Sequence, residues 1–176
     1  MSPTLSADVA ALLDPSGPAP LAVVTLGNDL RGDDGAGPLL ASLLADGCRP
    51  GCTVANAGER PESALDLLAS LPADQRPARV VFVDAADFGG APGEARAVPA
   101  ARLADSRLST HRFPLAALAA LIEEDTGATV SWIGIQTRDV RLGAVPCDDV
   151  RRTVEFLAAS LRAVLPATVP AGPATA

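Results

Sequence analysis

Apolar runs and amphipathic stretches alternate along most of the chain. Leu21 to Leu26 is an unbroken apolar run ended by Gly27, the pattern of a strand buried on both faces. Gly37 to Leu44 starts a Leu- and Ala-rich helix that stops near Gly47. Cys52 to Ala55 reads as a short strand. Pro61 suits the first turn of a helix running to about Leu71. Arg79 to Asp84 is the clearest strand, an apolar run closed by an acid, and Glu94 to Val98 is a further candidate. Leu115, Leu118 and Ile122 align on one face of a helix predicted over 114–125. Thr129 to Gln136 is a strand, and Val154, Leu157 and Leu161 align on a terminal helix over 150–164. Strands alternating with helices predict a single α/β domain. Its architecture would be a three-layer αβα sandwich around a mostly parallel twisted sheet.

The ends differ in composition. Residues 1–20 and 166–176 are rich in Pro, Ala, Ser and Thr. They are expected to be a flexible N-terminal extension and a disordered tail around a domain at 21–165. No run of about 18 apolar residues and no basic segment ahead of an apolar stretch is present, so no membrane span or signal peptide is expected. The three cysteines, Cys48, Cys52 and Cys147, form no CxxC pair. An odd count argues against a disulfide framework, and a cytoplasmic monomer is the default expectation.

Charge and composition narrow the chemistry. All 14 basic residues are arginine, and the net charge is −7. That balance disfavours nucleic acid and anionic membranes as partners. Without lysine there is no Schiff base and no P-loop. His111 is the one histidine in 176 residues, so a catalytic triad and a multi-histidine metal site exclude each other.

Sites in such folds lie beyond the carboxyl ends of the strands. The first loop of this kind is Gly27-Asn-Asp-Leu-Arg-Gly-Asp-Asp-Gly-Ala-Gly-Pro38. It is Gly-rich but lacks the GxGxxG spacing, and Asp33 and Asp34 would repel a phosphate at the helix start. One aspartate, Asp33, is expected to cap the helix. The second is left over beside Gly35 and Gly37, which are expected to let the chain turn tightly and leave room for a partner. Paired carboxylates there are consistent with a cation site.

The segment from Leu26 to Pro38 resembles the first signature of the nickel-iron hydrogenase maturation endopeptidases. The resemblance continues in order through Phe82-Val-Asp84-Ala-Ala-Asp87-Phe-Gly-Gly-Ala-Pro-Gly-Glu94, Ser109-Thr-His111-Arg-Phe-Pro-Leu115 and Trp132-Ile-Gly-Ile-Gln136. It spans roughly residues 21–164 and is most similar to the branch that matures formate-hydrogenlyase-type large subunits. Members of this family remove a C-terminal extension from the hydrogenase large-subunit precursor after nickel insertion. The resemblance implies metal ligands, and with them the catalytic centre, at Asp34, Asp84 and His111. It implies the precursor as partner, the precursor's own nickel as the metal recognised, and no organic cofactor. Two carboxylates and one imidazole suit Ni²⁺ or a Zn²⁺-like ion and leave open positions. Since His111 enters the helix at Pro114, the helix N-terminus favours its neutral, metal-binding form.

Where the family commonly has an acid followed by Gly-Gly, this chain has Asn56-Ala-Gly58-Glu59. Asn56 and Gly58 are the candidate substrate-binding residues, with Glu59 as an alternative acid. The divergent segment 138–145 is a candidate contact with the precursor. Asp87 and Glu94 read as loop acids or partners of the ligands. No nucleophile stands out. Ser109 has no GxSxG elbow, Cys147 lies at a helix start where a thiolate is favoured, and an aspartic dyad would need Asp34 and Asp84 in close contact. The residues alone leave two other classes open: a non-catalytic module that binds or senses a divalent metal in hydrogenase assembly, and a phosphate-handling α/β enzyme.

Overall fold

The structure is a computed structural model that describes residues 5–98 and 115–162. His111, Ser109, Pro114 and the tail 166–176 lie outside the described residues. The elements are α1 (Ala7–Leu12), β1 (Leu21–Leu26), α2 (Ala36–Leu43), β2 (Cys52–Gly58), α3 (Ser63–Ala69), β3 (Arg79–Ala86), β4 (Ala95–Val98), α4 (Leu115–Thr126), β5 (Thr129–Gln136) and α5 (Asp148–Arg162). Short 3₁₀ turns occupy Gly32–Gly35 and Ala73–Gln75.

The sheet order is β2-β1-β3-β5-β4. β1 pairs in parallel with β2 and β3, β3 pairs in parallel with β5, and only β4 runs antiparallel, against β5. The expected α/β class and mostly parallel sheet are therefore present. Strands β1 and β3 are buried almost throughout, which is why they read as unbroken apolar runs. Alternation within each strand divides the core. Val23, Val81, Val83, Ile133 and Ile135 pack beneath α1, α2 and α5 with Leu40, Val154 and Leu157. Val24, Val80, Phe82 and Trp132 pack on the other face with Leu68, Leu118 and Ile122 of α3 and α4. Phe82 and Trp132 stack at 4.0 Å with their planes 8° apart.

Residues 5–20 are not the flexible extension the composition predicts. Ser6 caps α1 through Val9 N–H, Val9 is fully buried and Leu13 nearly so. Two arginines tie down the chain that follows. Arg79 donates from Nε to Pro18 O (2.6 Å), from Nη1 to Leu12 O (3.2 Å) and from Nη2 to Asp14 O (2.8 Å). Arg49 donates to Leu13 O (2.5 Å) and Ser160 O (3.0 Å). Composition reported the Pro and Ser content of this segment, whereas its attachment depends on arginines far away in sequence. Among the described residues, no helix is long and apolar enough to cross a membrane.

Candidate active site at the carboxyl edge

From β1 the chain passes to β2 on one side, and from β2 it crosses to β3 on the other side of β1, so the crevice above β1 and β3 is the sheet's topological switch point. The last β1–β3 pair is Thr25 with Val83. Asp84 is the next residue along β3, beyond the end of that ladder, and only 2% exposed. It has the parity of Val80 and Phe82, so it lies on the α3/α4 face. Asp34 is 4% exposed on the loop that leaves β1 at the same place, and its Oδ2 accepts the Asn28 N–H at 3.1 Å. Two of the three predicted ligands thus share one edge of adjacent strands, while the third, His111, lies outside the described residues. Among the described residues alone, no group of three His, Cys, Asp or Glu side chains could hold a metal ion.

Asp33 differs from the expectation. No side chain caps α2, which is entered through the 3₁₀ turn. The fully buried Asp33 carboxylate instead accepts three backbone N–H groups from across the edge. These are Arg138 (2.6 Å) and Asp139 (3.0 Å) on Oδ2, and Cys147 (2.6 Å), which leads into α5, on Oδ1. Burial alone would raise its pKa, but the three donors outweigh burial and hold it below the ordinary aspartate value. The glycines also serve a different end from the one expected. A Cβ on Gly37 would sit on the Leu26 carbonyl, so Gly37 allows α2 to pack against its own strand and leaves no space for a partner.

Asn56 stands at the other side of Asp34. The β1–β2 register slips after Thr25–Asn56, so that Leu26 pairs with Gly58 and Ala57 is the bulged residue. The Asn56 Oδ1 accepts from Thr25 Oγ1 (3.2 Å) and Gly58 N–H (3.0 Å). Asn56, Gly58 and Glu59 line a cleft of about 250 Å³ with Gly27, Asn28, Asp29 and Pro38. Through Asn28, the two candidate substrate-binding residues therefore adjoin Asp34.

Gln136 closes both β5 and the fourth motif. It is 4% exposed, accepts from Phe88 N–H (2.9 Å) and Gly90 N–H (3.0 Å), and donates to Asp87 Oδ1 (3.0 Å). Its donation, followed by that of Gly89 N–H, keeps Asp87 below the usual carboxylate range. Asp87 is thus a loop anchor beside β3. Glu94 is likewise occupied, by Arg96 and Ala91 N–H.

The thiols do not replace a nucleophile. Burial, the largest influence, pushes the Cys147 thiol up, and nearby Asp33 adds to that. Cys52 is pushed up to about 12, chiefly by burial and then by Cys48, whose thiol donates to Cys52 O at 2.7 Å. A raised pKa is the opposite of what an activated cysteine needs.

Comparison with known proteins agrees with the layout. Residues 40–158 match the HycI hydrogenase maturation protease family. The chain belongs to that family. It is an endopeptidase of hydrogenase maturation, which removes the non-catalytic and phosphate-handling classes from consideration. Over 115 residues it is 36% identical to the hydrogenase 3 maturation protease of Escherichia coli K12, covering 65% of this chain and 70% of the relative. The crystal structure of HycI from Thermococcus kodakarensis superposes with a TM-score of 0.71 at 34% identity, covering 84% of this chain and 96% of that one. The solution structure of E. coli HycI gives the same TM-score at 33% identity, with 81% and 88% covered.

Proposed function

We propose that this protease removes the C-terminal extension of a nickel-iron hydrogenase large-subunit precursor after nickel insertion. In this reading it recognises the precursor's nickel through Asp34, Asp84 and His111. The observation that supports it is the placement of two buried aspartates at the same carboxyl edge, each following the end of a different one of two adjacent strands. Buried carboxylates at one edge favour a bound cation over a neutral peptide, because a cation offsets the cost of burying their charge. Asp34 is oriented by the Asn28 N–H, which fixes one oxygen and directs the group.

The nickel arrives as part of the substrate. Docked on these residues, it brings the scissile peptide to the edge and polarises what it touches. Hydrolysis adds the hydroxyl of water to the peptide carbonyl carbon, breaks the C–N bond and passes a proton to the leaving amine. A carboxylate at this edge suits the holding of that water and the movement of its proton. The cleft along Asn56 and Gly58 would receive the flanking chain. Asn56 brings an amide N–H donor where a carboxylate would only accept.

The test is in-cell processing of a co-expressed large-subunit precursor by wild type, Asp34→Ala, Asp84→Ala and His111→Ala. Each variant should remain soluble and leave the precursor uncut. Purified protease should cut nickel-loaded precursor and leave nickel-free precursor and casein intact. Cleavage of either of the latter at a comparable rate overturns the nickel reading, and normal processing by one variant removes that residue from the site.

A further inference from the structure

Five large apolar side chains are exposed among the described residues, and three of them lie on two loops that are hydrogen-bonded to each other. Leu30 is 62% exposed, Leu142 75% and Val145 80%. The loops that carry them, 27–35 and 138–147, leave the carboxyl ends of β1 and β5 and are joined along their length. Gly143 N–H donates to Leu30 O (2.7 Å), Gly32 N–H to Ala144 O (3.1 Å) and Asp33 N–H to Asp139 O (2.8 Å). The Asp33 carboxylate adds its three bonds from below. Gly32 has φ +57, and a Cβ there would overlap the Asp139 carbonyl, so only glycine permits this closeness.

On the 138–147 side the flanking charges are paired, while Asp29 and Arg31, of opposite sign, bracket Leu30. Arg141 grips Asp139 through Nε and Nη2, which holds the Asp139 carboxyl down at about 2. Arg138 pairs with Asp149 at 2.6 Å. This leaves a preorganised surface with an aliphatic centre and a polar rim, the anatomy of a protein-binding patch.

We propose that Leu30, Leu142 and Val145 form the docking platform for an aliphatic segment of the hydrogenase precursor. The occupant follows from continuity. Leu30, Asp33 and Asp34 belong to one loop, so a protein presented to Asp34 lies against its neighbour. The exposed aliphatic centre of Leu30, Leu142 and Val145 is matched by apolar side chains on the partner. The proposal rests on the reading that cleavage takes place at the edge carrying Asp34 and Asp84.

Cleavage of purified nickel-loaded precursor by Leu142→Asp, Val145→Asp and the double variant tests it. Phe156→Asp on α5 and Leu121→Asp on α4, both exposed and away from this edge, serve as controls. The double variant should raise KM about tenfold or more, as expected for losing one buried aliphatic anchor, with kcat within about twofold of wild type. The controls should leave both constants unchanged. The proposal is overturned if KM stays within about twofold, if the controls raise it equally, or if kcat alone falls. It is also overturned if wild type dimerises and the double variant is a monomer with unchanged KM, because the patch then serves a second copy of the chain. Loss of folded Trp132 fluorescence in the platform variants overturns it as well, since these side chains would then be structural. The site reading fails separately: Asp34→Asn that cuts normally sinks that reading and leaves the KM comparison intact.

Discussion

The two edges of the sheet solve opposite electrostatic problems with the same material. At the carboxyl edge, buried Asp33 is satisfied by three backbone N–H groups from loop 138–147. At the amino edge, Arg49, only 7% exposed, and Arg79 are satisfied by backbone carbonyls of the N-terminal segment and of α5. Burial and the proximity of Arg49 lower the Arg79 pKa, so like charges are tolerated there because carbonyl dipoles surround them. In both places a buried charge fastens a distant loop. They differ in what is left over. The amino edge uses its arginines to hold its own chain, whereas the carboxyl edge carries two further buried aspartates, Asp34 and Asp84, beside an apolar platform. The lesson is that a charge which anchors a distant loop, Asp33, can sit directly beside one proposed for the site, Asp34.

Four changes would break or sharpen this contrast, from largest effect to smallest. Replacing Asp34 or Asp84 by Asn should lower precursor cleavage by about a hundredfold or more while the protein still folds, as for loss of a group acting on the reacting atoms. A gel of precursor processing beside a thermal melt reads both. Arg49→Met should do the reverse. It strands the carbonyls of Leu13 and Ser160 and should cost about 2–4 kcal/mol of stability, with kcat/KM unchanged. Urea unfolding followed by Trp132, the one tryptophan, measures it.

Asp33→Asn should fall between the two. An amide cannot accept all three N–H groups, so about 1–3 kcal/mol should be lost and KM should rise as the platform loosens. The sign of its pH dependence follows from the lowered pKa. The stabilisation is fully present above the ordinary aspartate value of about 3.9 and is lost as pH falls through the folded-state value. Wild type and Asp33→Asn should therefore differ in urea midpoint at neutral pH and converge in acid. A gap that persists in acid would show that the charge is not what pins the loop. The smallest effect is expected for Asn56→Asp. The new carboxylate keeps the acceptor for Thr25 Oγ1 and Gly58 N–H, so stability should shift by no more than about 0.5 kcal/mol. Any change in cleavage then reports the lost amide donor, visible in KM.

Much of the fold was legible because buried parallel strands must be apolar on both faces. β1 and β5 begin and end where the apolar runs do. Two strands outran their patterns because a partner extended them. β3 continues past Asp84 to Ala86, since Ala85 and Ala86 pair with Ile135 and Gln136. β2 continues past Ala55 through a bulge to Gly58, which turns Asn56 from a loop residue into one held against β1. The candidate aspartates were visible as acids at strand ends. Asp33 was set apart from Asp34 as well, but as a helix cap; its true partners were not legible because they lie on loop 138–147, more than 100 positions away. The pairing of Gln136 with loop 87–90 was hidden for the same reason.

Sequence by itself determined the strand–helix alternation, the class of sheet and the four ordered motifs, since hydrophobic period and local residue type are properties of neighbours along the chain. Tertiary structure decided what Asp33 anchors, loop 138–147 in place of the helix start. It also decided that a Pro-rich N-terminal segment packs on the core and that Leu30, Leu142 and Val145 lie on loops hydrogen-bonded to each other. Those outcomes depend on hydrogen bonds between residues about 30 to 115 positions apart, as from Asp33 to Cys147 and from Arg49 to Leu13. Such partners are chosen only when the sheet brings the loops together.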